Sequence, residues 1–269
     1  MNKNRLKKLG IFILNPSGIL GVVIDKFGRN ISSLFKNESF FLQGQMGISP
    51  LSIWHKPEFI NAVGGFFPEN GQGDRKICEI EPWDITRRDM IILLLRTIIE
   101  RNIEGDFVEF GVYKGHTAKL IHKYAPEKRL YLFDTFSGFN KRGADIEHQK
   151  TRDVIDRTQF SDTSFMFVKE YINPNKNVHF FEGYFPDNLP EGFENMKFAF
   201  VHLDADLYDP TMSGLRAFYN KTNPRGIIII HDYNAWIGAR TATDEFFRDK
   251  IEKPIPMPDK SGSAIVVKQ

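Results

Sequence analysis

Beyond residue 84 the chain alternates short apolar runs with longer helix-patterned segments, and this alternation constrains the fold more than any other feature. The runs DFVEF (106–110), RLYLFD (129–134), NVHFFE (177–182), KFAFVHLD (197–204) and GIIIIHD (226–232) are rich in β-branched and aromatic residues, as strands are. Separated by helical patterns, they predict a parallel sheet built from right-handed crossovers. KPIPMP (253–258) and SAIVVK (263–268), divided by the turn residues 259–262, predict an antiparallel hairpin closing one edge, where prolines are tolerated. The expected fold is α/β: a doubly wound, mostly parallel, Rossmann-like sheet of seven strands. The run MIILLLRTII (90–99), split by Arg96, reads as a buried helix, with Thr86 and Asp89 as its capping pair and Gly105 as its stop.

Two domains are expected. Residues 1–84, rich in Gly, Pro, Asn and aromatics, lack the alternation and read as an irregular N-terminal cap; residues 85–269 form the cofactor-binding domain. The polar excursion 138–160 is long for a loop and suggests a lid. Leu9–Ile24 is interrupted by Asn15, Pro16 and Ser17 and falls short of the about 20 apolar residues a spanning helix needs. The basic residues before it, Lys3 to Lys8, are not followed closely by a cleavage pattern. A net charge of +2, without a long basic run interleaved with aromatics, argues against a nucleic-acid partner. The single cysteine, Cys78, excludes an intramolecular disulfide and fits a reducing cytoplasm.

The first strand–helix turn, EFGVYKGHT (109–117), carries the strongest chemistry. Gly111 permits a tight turn after the strand, Gly115 a close backbone approach to a ligand, and Thr117 opens a helix whose amides face that ligand. Asp134, ending the second strand, is placed to accept both hydroxyls of a ribose. In a doubly wound sheet the fourth strand lies beside the first, across the switch point where ligands bind. Asp204 and Asp206 in LDADLYDP, and His231–Asp232 after the fifth strand, therefore meet at one crevice. Alternation sends neighbouring side chains to opposite faces, so not all four are expected to point at one atom.

These segments resemble the class I S-adenosylmethionine methyltransferases, within them the macrocin and mycinamicin type that methylates sugar hydroxyls. GDFVEFGVYKGHT is similar to the cofactor loop, YLFDTFSGF to the ribose segment, FFEGYFPDNLP, with Gly183, to a stretch near the adenine, and LDADLYDPTMSGL with PRGIIIIHDYNAW to the acidic site. The likeness is collinear over about residues 84–268. It implies S-adenosylmethionine as cofactor, contacted by Glu109, Gly111, Gly115, Thr117, Asp134 and Gly183, together with a divalent cation, usually magnesium, and a homodimer. It departs at His231–Asp232, where family members often carry two adjacent acids.

An aliphatic hydroxyl is a poor nucleophile at neutral pH, so methyl transfer to it requires in-line positioning and removal of its proton. A cation on Asp204 and Asp232 would orient vicinal hydroxyls, Asp206 would take the proton, and His231 is either a further ligand or the base. Asp209 caps the following helix. Trp54, His55, Phe66, Phe67 and Trp236 are candidates for sugar stacking but are better read as packing residues. A metal-dependent glycosyltransferase using Asp-x-Asp and a noncatalytic cofactor-binding protein stand as alternatives; the former leaves EFGVYKGHT and Asp134 without a use.

Overall fold

The structure, a computed structural model, describes residues 84–269. The expected cap over residues 1–84, the Leu9–Ile24 run, Cys78 and the aromatics from Trp54 to Phe67 lie outside the described residues, apart from Asp84 itself.

In chain order the elements are α1 (Ile85–Glu100), β1 (Asp106–Phe110), α2 (His116–Tyr124), β2 (Leu130–Asp134), α3 (Lys141–Thr151), α4 (Phe165–Ile172), β3 (Val178–Glu182), β4 (Phe198–Leu203), α5 (Tyr208–Phe218), β5 (Thr222–Ile230), α6 (Ile237–Phe247), β6 (Ile255–Pro256) and β7 (Ala264–Val267). The seven strands lie in the order β3-β2-β1-β4-β5-β7-β6. The first five are parallel, while β7 runs antiparallel to both β5 and β6. This is the expected doubly wound sheet with its edge hairpin. Apolar side chains fill both faces. Phe107, Leu132, Phe200 and Ile229 face one core with α1, α2 and α4, and Val108, Phe133, Val201 and Ile228 face a second with α5 and α6. A strand buried on both faces has no polar side to show, which is why the sequence shows continuous apolar runs. None of the described helices is long and apolar enough to cross a membrane.

The ends of α1 differ from expectation. Asp84 is the N-cap, accepting the Arg87 N–H at 3.1 Å, because its carboxylate stands just outside the helix whereas Thr86 and Asp89 are already inside it. The helix stops at Arg101, and Gly105 serves a different purpose. A Cβ there would lie 2.6 Å from the backbone of Phe198 and Ala199, so only glycine lets β1 begin so close to β4.

Behind the sheet edge, the buried Glu252 accepts from Lys268 Nζ (2.7 Å), the Gln269 N–H (3.0 Å) and the Tyr219 hydroxyl (2.5 Å). Burial raises its pKa, but the Lys268 and Tyr219 hydrogen bonds outweigh it and bring the carboxyl down from 4.5 to about 2. A folded value below the unfolded one gives stability that is complete above about pH 5 and lost as pH falls through the folded value. Denaturant titrations from pH 7 to pH 2 should show the wild type losing on the order of 2 kcal/mol that Glu252→Gln never had. Parallel pH profiles for the two proteins would refute this.

Candidate active site

β1 and β4 end side by side, and their loops touch. The Asp204 N–H donates to the Phe110 carbonyl at 2.7 Å, and a Cβ on Gly111 (φ +88°) would sit 1.7 Å from the Asp204 carbonyl oxygen. Glycine is obligatory at 111 because two backbones meet there, in a conformation L side chains rarely adopt. A cavity of about 510 Å³ opens over this junction. Glu109, Gly111, Thr117, Asp134 and Gly183 line it from one side, and Asp204, Asp206, His231 and Asp232 from the other. Gly115 does not. It takes the left-handed N-cap of α2 (φ +80°) and packs against Val168 and Ile172 of α4, so its missing Cβ serves helix packing rather than a ligand.

Asp134 organises the glycine turn. Its Oδ2 accepts the N–H groups of Val112 (2.5 Å) and Tyr113 (2.9 Å), and Oδ1 accepts that of Phe136 (2.6 Å). A carboxylate offers about four acceptor positions and three are taken, which leaves one for a ribose hydroxyl rather than the two expected. Glu109 forms the buried floor. Its Oε1 pairs with His202 Nδ1 at 3.2 Å across the β1–β4 register, while Oε2 has no hydrogen-bond partner among the described residues. Burial, then the Asp204 charge, push Glu109 well above the usual carboxylate range. Burial holds His202 down at about 3, so this imidazole is neutral. His202 has a sequence signal, since it stands two residues before Asp204 and thus faces the same side of β4 as Phe200, but only the register pairs it with Glu109.

All four polar groups line the cavity, but only Asp204, His231 and Asp232 bring ligand atoms together, in keeping with the alternation argument that the four do not share one atom. Alternation holds only within strands, and β4 ends at Leu203 and β5 at Ile230. Beyond those ends Asp206 (φ +56°) and Asp232 (φ +57°) take left-handed conformations that turn their side chains back to the crevice. His231 Nδ1 lies 2.6 Å from Asp204 Oδ1 and 3.2 Å from Asp232 Oδ2. One ligand atom from each of Asp204, His231 and Asp232 falls within 4.8 Å of the others. Asp206 hydrogen bonds to Asp232; burial, and the nearby charge of Asp204, raise its pKa well above normal, while His231 and this bond leave Asp232 low. Burial raises both acids, and the charged and hydrogen-bonding neighbours favour the proton on Asp206 over Asp232.

Arg87 of α1, which the sequence reading passed over, reaches His231 Nε2. Burial opposes a charged imidazole, but Asp204 and Asp232 draw it up to about 10. A guanidinium only donates, so Nε2 accepts as the side chains stand, and a second ring proton would have to displace Arg87. Asp204 and Asp232 thus favour a charged ring and the Arg87 contact a neutral one, and in either state the proton on Nδ1 faces Asp204.

The excursion after β2 covers the cavity mouth. Phe139 and Phe160 line the cavity, Phe160 packs edge-on against Tyr113 (5.0 Å), and Phe139 against Trp236 (5.8 Å). Asp162 fastens it to the glycine turn, accepting from Tyr113 Oη (2.6 Å) and Lys114 Nζ (2.5 Å). Asp209 is not a cap. It lies inside the first turn of α5, and its Oδ2 accepts the Tyr184 hydroxyl at 2.5 Å.

Strand order, glycine turn and acid cluster define a Rossmann-like methyltransferase. The sequence profile of the macrocin O-methyltransferase (TylF) family matches residues 85–265, and the chain belongs to that family. It is similar to the 8-demethyl-8-(2,3-dimethoxy-alpha-L-rhamnosyl)-tetracenomycin-C 4'-O-methyltransferase of Streptomyces olivaceus, at 28% identity over 66% of this chain and 72% of that one. It is similar also to the demethyldecarbamoylnovobiocin O-methyltransferase of Streptomyces niveus, at 26% identity over 60% and 65%. Among solved structures the O-methyltransferase NovP shares the fold with a TM-score of 0.60 and 21% identity, covering 88% of this chain and 99% of that one. The calicheamicin methyltransferase CalS11 gives 0.55 and 17%, covering 91% and 94%. The protein is an O-methyltransferase, and its fold makes S-adenosylmethionine the methyl donor. The glycosyltransferase and noncatalytic readings fall away.

Asp134→Asn keeps one acceptor oxygen but turns a donor toward amide donors. It should weaken S-adenosylhomocysteine binding by about 10- to 100-fold, the cost of losing charge-assisted hydrogen bonds. Unchanged calorimetric affinity in a folded variant would remove Asp134 from the cofactor site.

Proposed function

We propose that the protein transfers a methyl group from S-adenosylmethionine to a sugar hydroxyl, with Asp206 as the general base and a divalent cation at Asp204 and Asp232. The observation that carries this reading is the convergence of four polar side chains at one end of the same cavity that holds the glycine turn and Asp134 at the other. A relative that methylates a rhamnosyl group supports the sugar acceptor.

The residues present fit both absent groups. The bare Oε2 of Glu109 at the cavity floor would accept from an ammonium such as the cofactor's amino group, whose charge would draw off the proton that burial favours. The neighbouring carboxylates of Asp204 and Asp232 suit magnesium or manganese, which favour oxygen ligands, while both nitrogens of His231 are already engaged. When bound, such an ion supplies charge that lowers the pKa of a coordinated hydroxyl and orients a vicinal pair.

The chain's own groups do the rest. Asp206, once relieved of the proton it shares with Asp232, is the carboxylate nearest in sequence and space to the acids that would hold the ion, and it receives the acceptor's proton. His231 orients Asp204 through its Nδ1 proton rather than serving as the base, because Arg87 occupies its other nitrogen. Phe139 and Phe160, at the mouth, exclude water from the sulfonium.

The test is methyl transfer from deuterium-labelled S-adenosylmethionine to methyl α-L-rhamnoside and a panel of methyl glycosides bearing vicinal hydroxyls, read by mass spectrometry. EDTA should abolish turnover and manganese restore it, whereas Asp206→Asn should keep cofactor affinity and lose about 100- to 10,000-fold in kcat. Full activity in EDTA would remove the cation. An Asp206→Asn enzyme with wild-type kcat would remove the base.

Proton release offers a check independent of turnover. Titration of the protein with manganese in buffers of different ionisation enthalpy should register about one proton expelled per ion near neutral pH, and none in Asp206→Asn. Equal release in both proteins would show that the shared proton lies elsewhere.

A further inference from the structure

Glu147 is completely buried although it comes from α3, whose sequence KRGADIEHQKT is mostly polar, and it does not line the cavity. Its surroundings explain where its charge goes. Helices α5 and α6 begin at Tyr208 and Ile237 behind the N-caps Leu207 and Trp236, neither of which supplies a side-chain cap. Glu147 Oε2 accepts the Tyr208 N–H at 2.6 Å, so α5 receives its missing cap from a residue 61 positions earlier. The carboxylate also seats against the first turn of α6, where a Cβ on Gly238 would lie 2.3 Å from both of its oxygens. Two helix N-termini, each with partial positive charge, thus lie against one buried carboxyl, whose pKa burial raises against the Tyr208 hydrogen bond and whose Oε1 has no hydrogen-bond partner among the described residues.

These two helices start where the acid loops end. α5 follows Asp204–Leu207 directly, and α6 follows the turn in which the Asp232 carbonyl accepts from Ala235 and Trp236, each at 2.9 Å. The Asp206 carbonyl in turn accepts the Ala239 N–H of α6 at 3.0 Å, linking the two loops. Both Asp206 and Asp232 hold left-handed backbones, which persist only when the surroundings fix them.

We infer that Glu147 is a positioning residue for the acid cluster: one carboxylate caps α5, seats the first turn of α6, and holds the loop of Asp204 and Asp206 in register with the loop of His231 and Asp232. It makes α3 part of the frame of the site, not a free lid. The inference rests on those acids forming the reacting site. Its action is through position, so an isosteric acceptor should replace it and a shorter one should not.

The test compares Glu147→Gln, Glu147→Asp and Glu147→Ala, with Gly238→Ala displacing the carboxylate from the other side, all well below their melting midpoints. The probes are manganese alone, titrated by electron paramagnetic resonance, and S-adenosylhomocysteine, titrated by calorimetry. Asp and Ala at 147, and Ala at 238, should weaken manganese binding by about 10- to 100-fold while changing S-adenosylhomocysteine affinity less than about threefold. Glu147→Gln, which keeps the acceptor, should stay within about threefold of wild type for both. Any folded short-side-chain variant with wild-type manganese affinity overturns the inference, and so does equal loss of both ligands, which would mark a purely structural role. If the wild type itself binds no manganese, the cation reading fails and Glu147 is judged by hydrogen exchange. Amides of residues 204–208 and 232–239 should then exchange faster in the Asp and Ala variants and normally in Gln; unchanged rates overturn it.

Discussion

The contact on which the site depends is made by backbone alone: Gly111, ending β1, lies against the carbonyl of Asp204, ending β4. Two parallel strands joined through distant crossovers are brought together at the switch point of the sheet, and their C-terminal loops open away from each other above it. That opening is the cavity. Because the glycine turn and the acid loop share this junction, a cofactor on one side and an acceptor on the other are brought within reacting distance by the sheet itself. The side chains need only refine it.

The same junction gathers an unusual density of acid in a dry place. Glu109, Asp206 and Asp232 are buried with Asp204 beside them, and ionising all of them together would be prohibitive. The structure relieves the repulsion in two ways. Glu109 and Asp206 are raised so that they keep their protons, while Asp204 and Asp232 remain ionised against His231, itself backed by Arg87. A site arranged like this is loaded with exchangeable protons when empty. Cationic ligands, whether an ammonium or a metal ion, are the natural replacements, which ties ligand binding to proton release. Away from the cavity, Glu147 is another buried carboxyl that burial raises, set against two helix ends, one of which donates to it.

The mouth of the cavity has two unequal halves. The α3 half is anchored by a buried carboxylate, whereas the following strap is fastened by Asp162 to Tyr113 and Lys114 at the surface, where water competes for the same bonds. Phe160 packs on Tyr113 beside the Asp162 clasp, Phe139 packs on Trp236, and the two rings meet edge-on between them.

Much of this was legible in the chain because local pattern and final structure agree. Strand runs buried on both faces are continuously apolar, so all five parallel strands and the edge hairpin were placed within a few residues, and nine of the ten site residues named from the sequence line the cavity. Gly115 was misread because a glycine after a strand looks alike whether it faces a ligand or a neighbouring helix, and the helix cap of α1 was misplaced by two residues because capping is decided by backbone angle. What sequence could not supply was every partnership across long separations. His202 meets Glu109 only through the β1–β4 register, Arg87 meets His231 across 144 residues, and Glu147 caps a helix that its own segment gives no hint of. The sequence by itself determined the element order, the sheet and the residue types at its C-terminal edge, since these follow from apolar periodicity and glycine. Tertiary structure alone decided which acids share protons, which way the imidazole faces and what holds the two acid loops together, because those depend on distances of a few ångströms between segments that the chain keeps far apart.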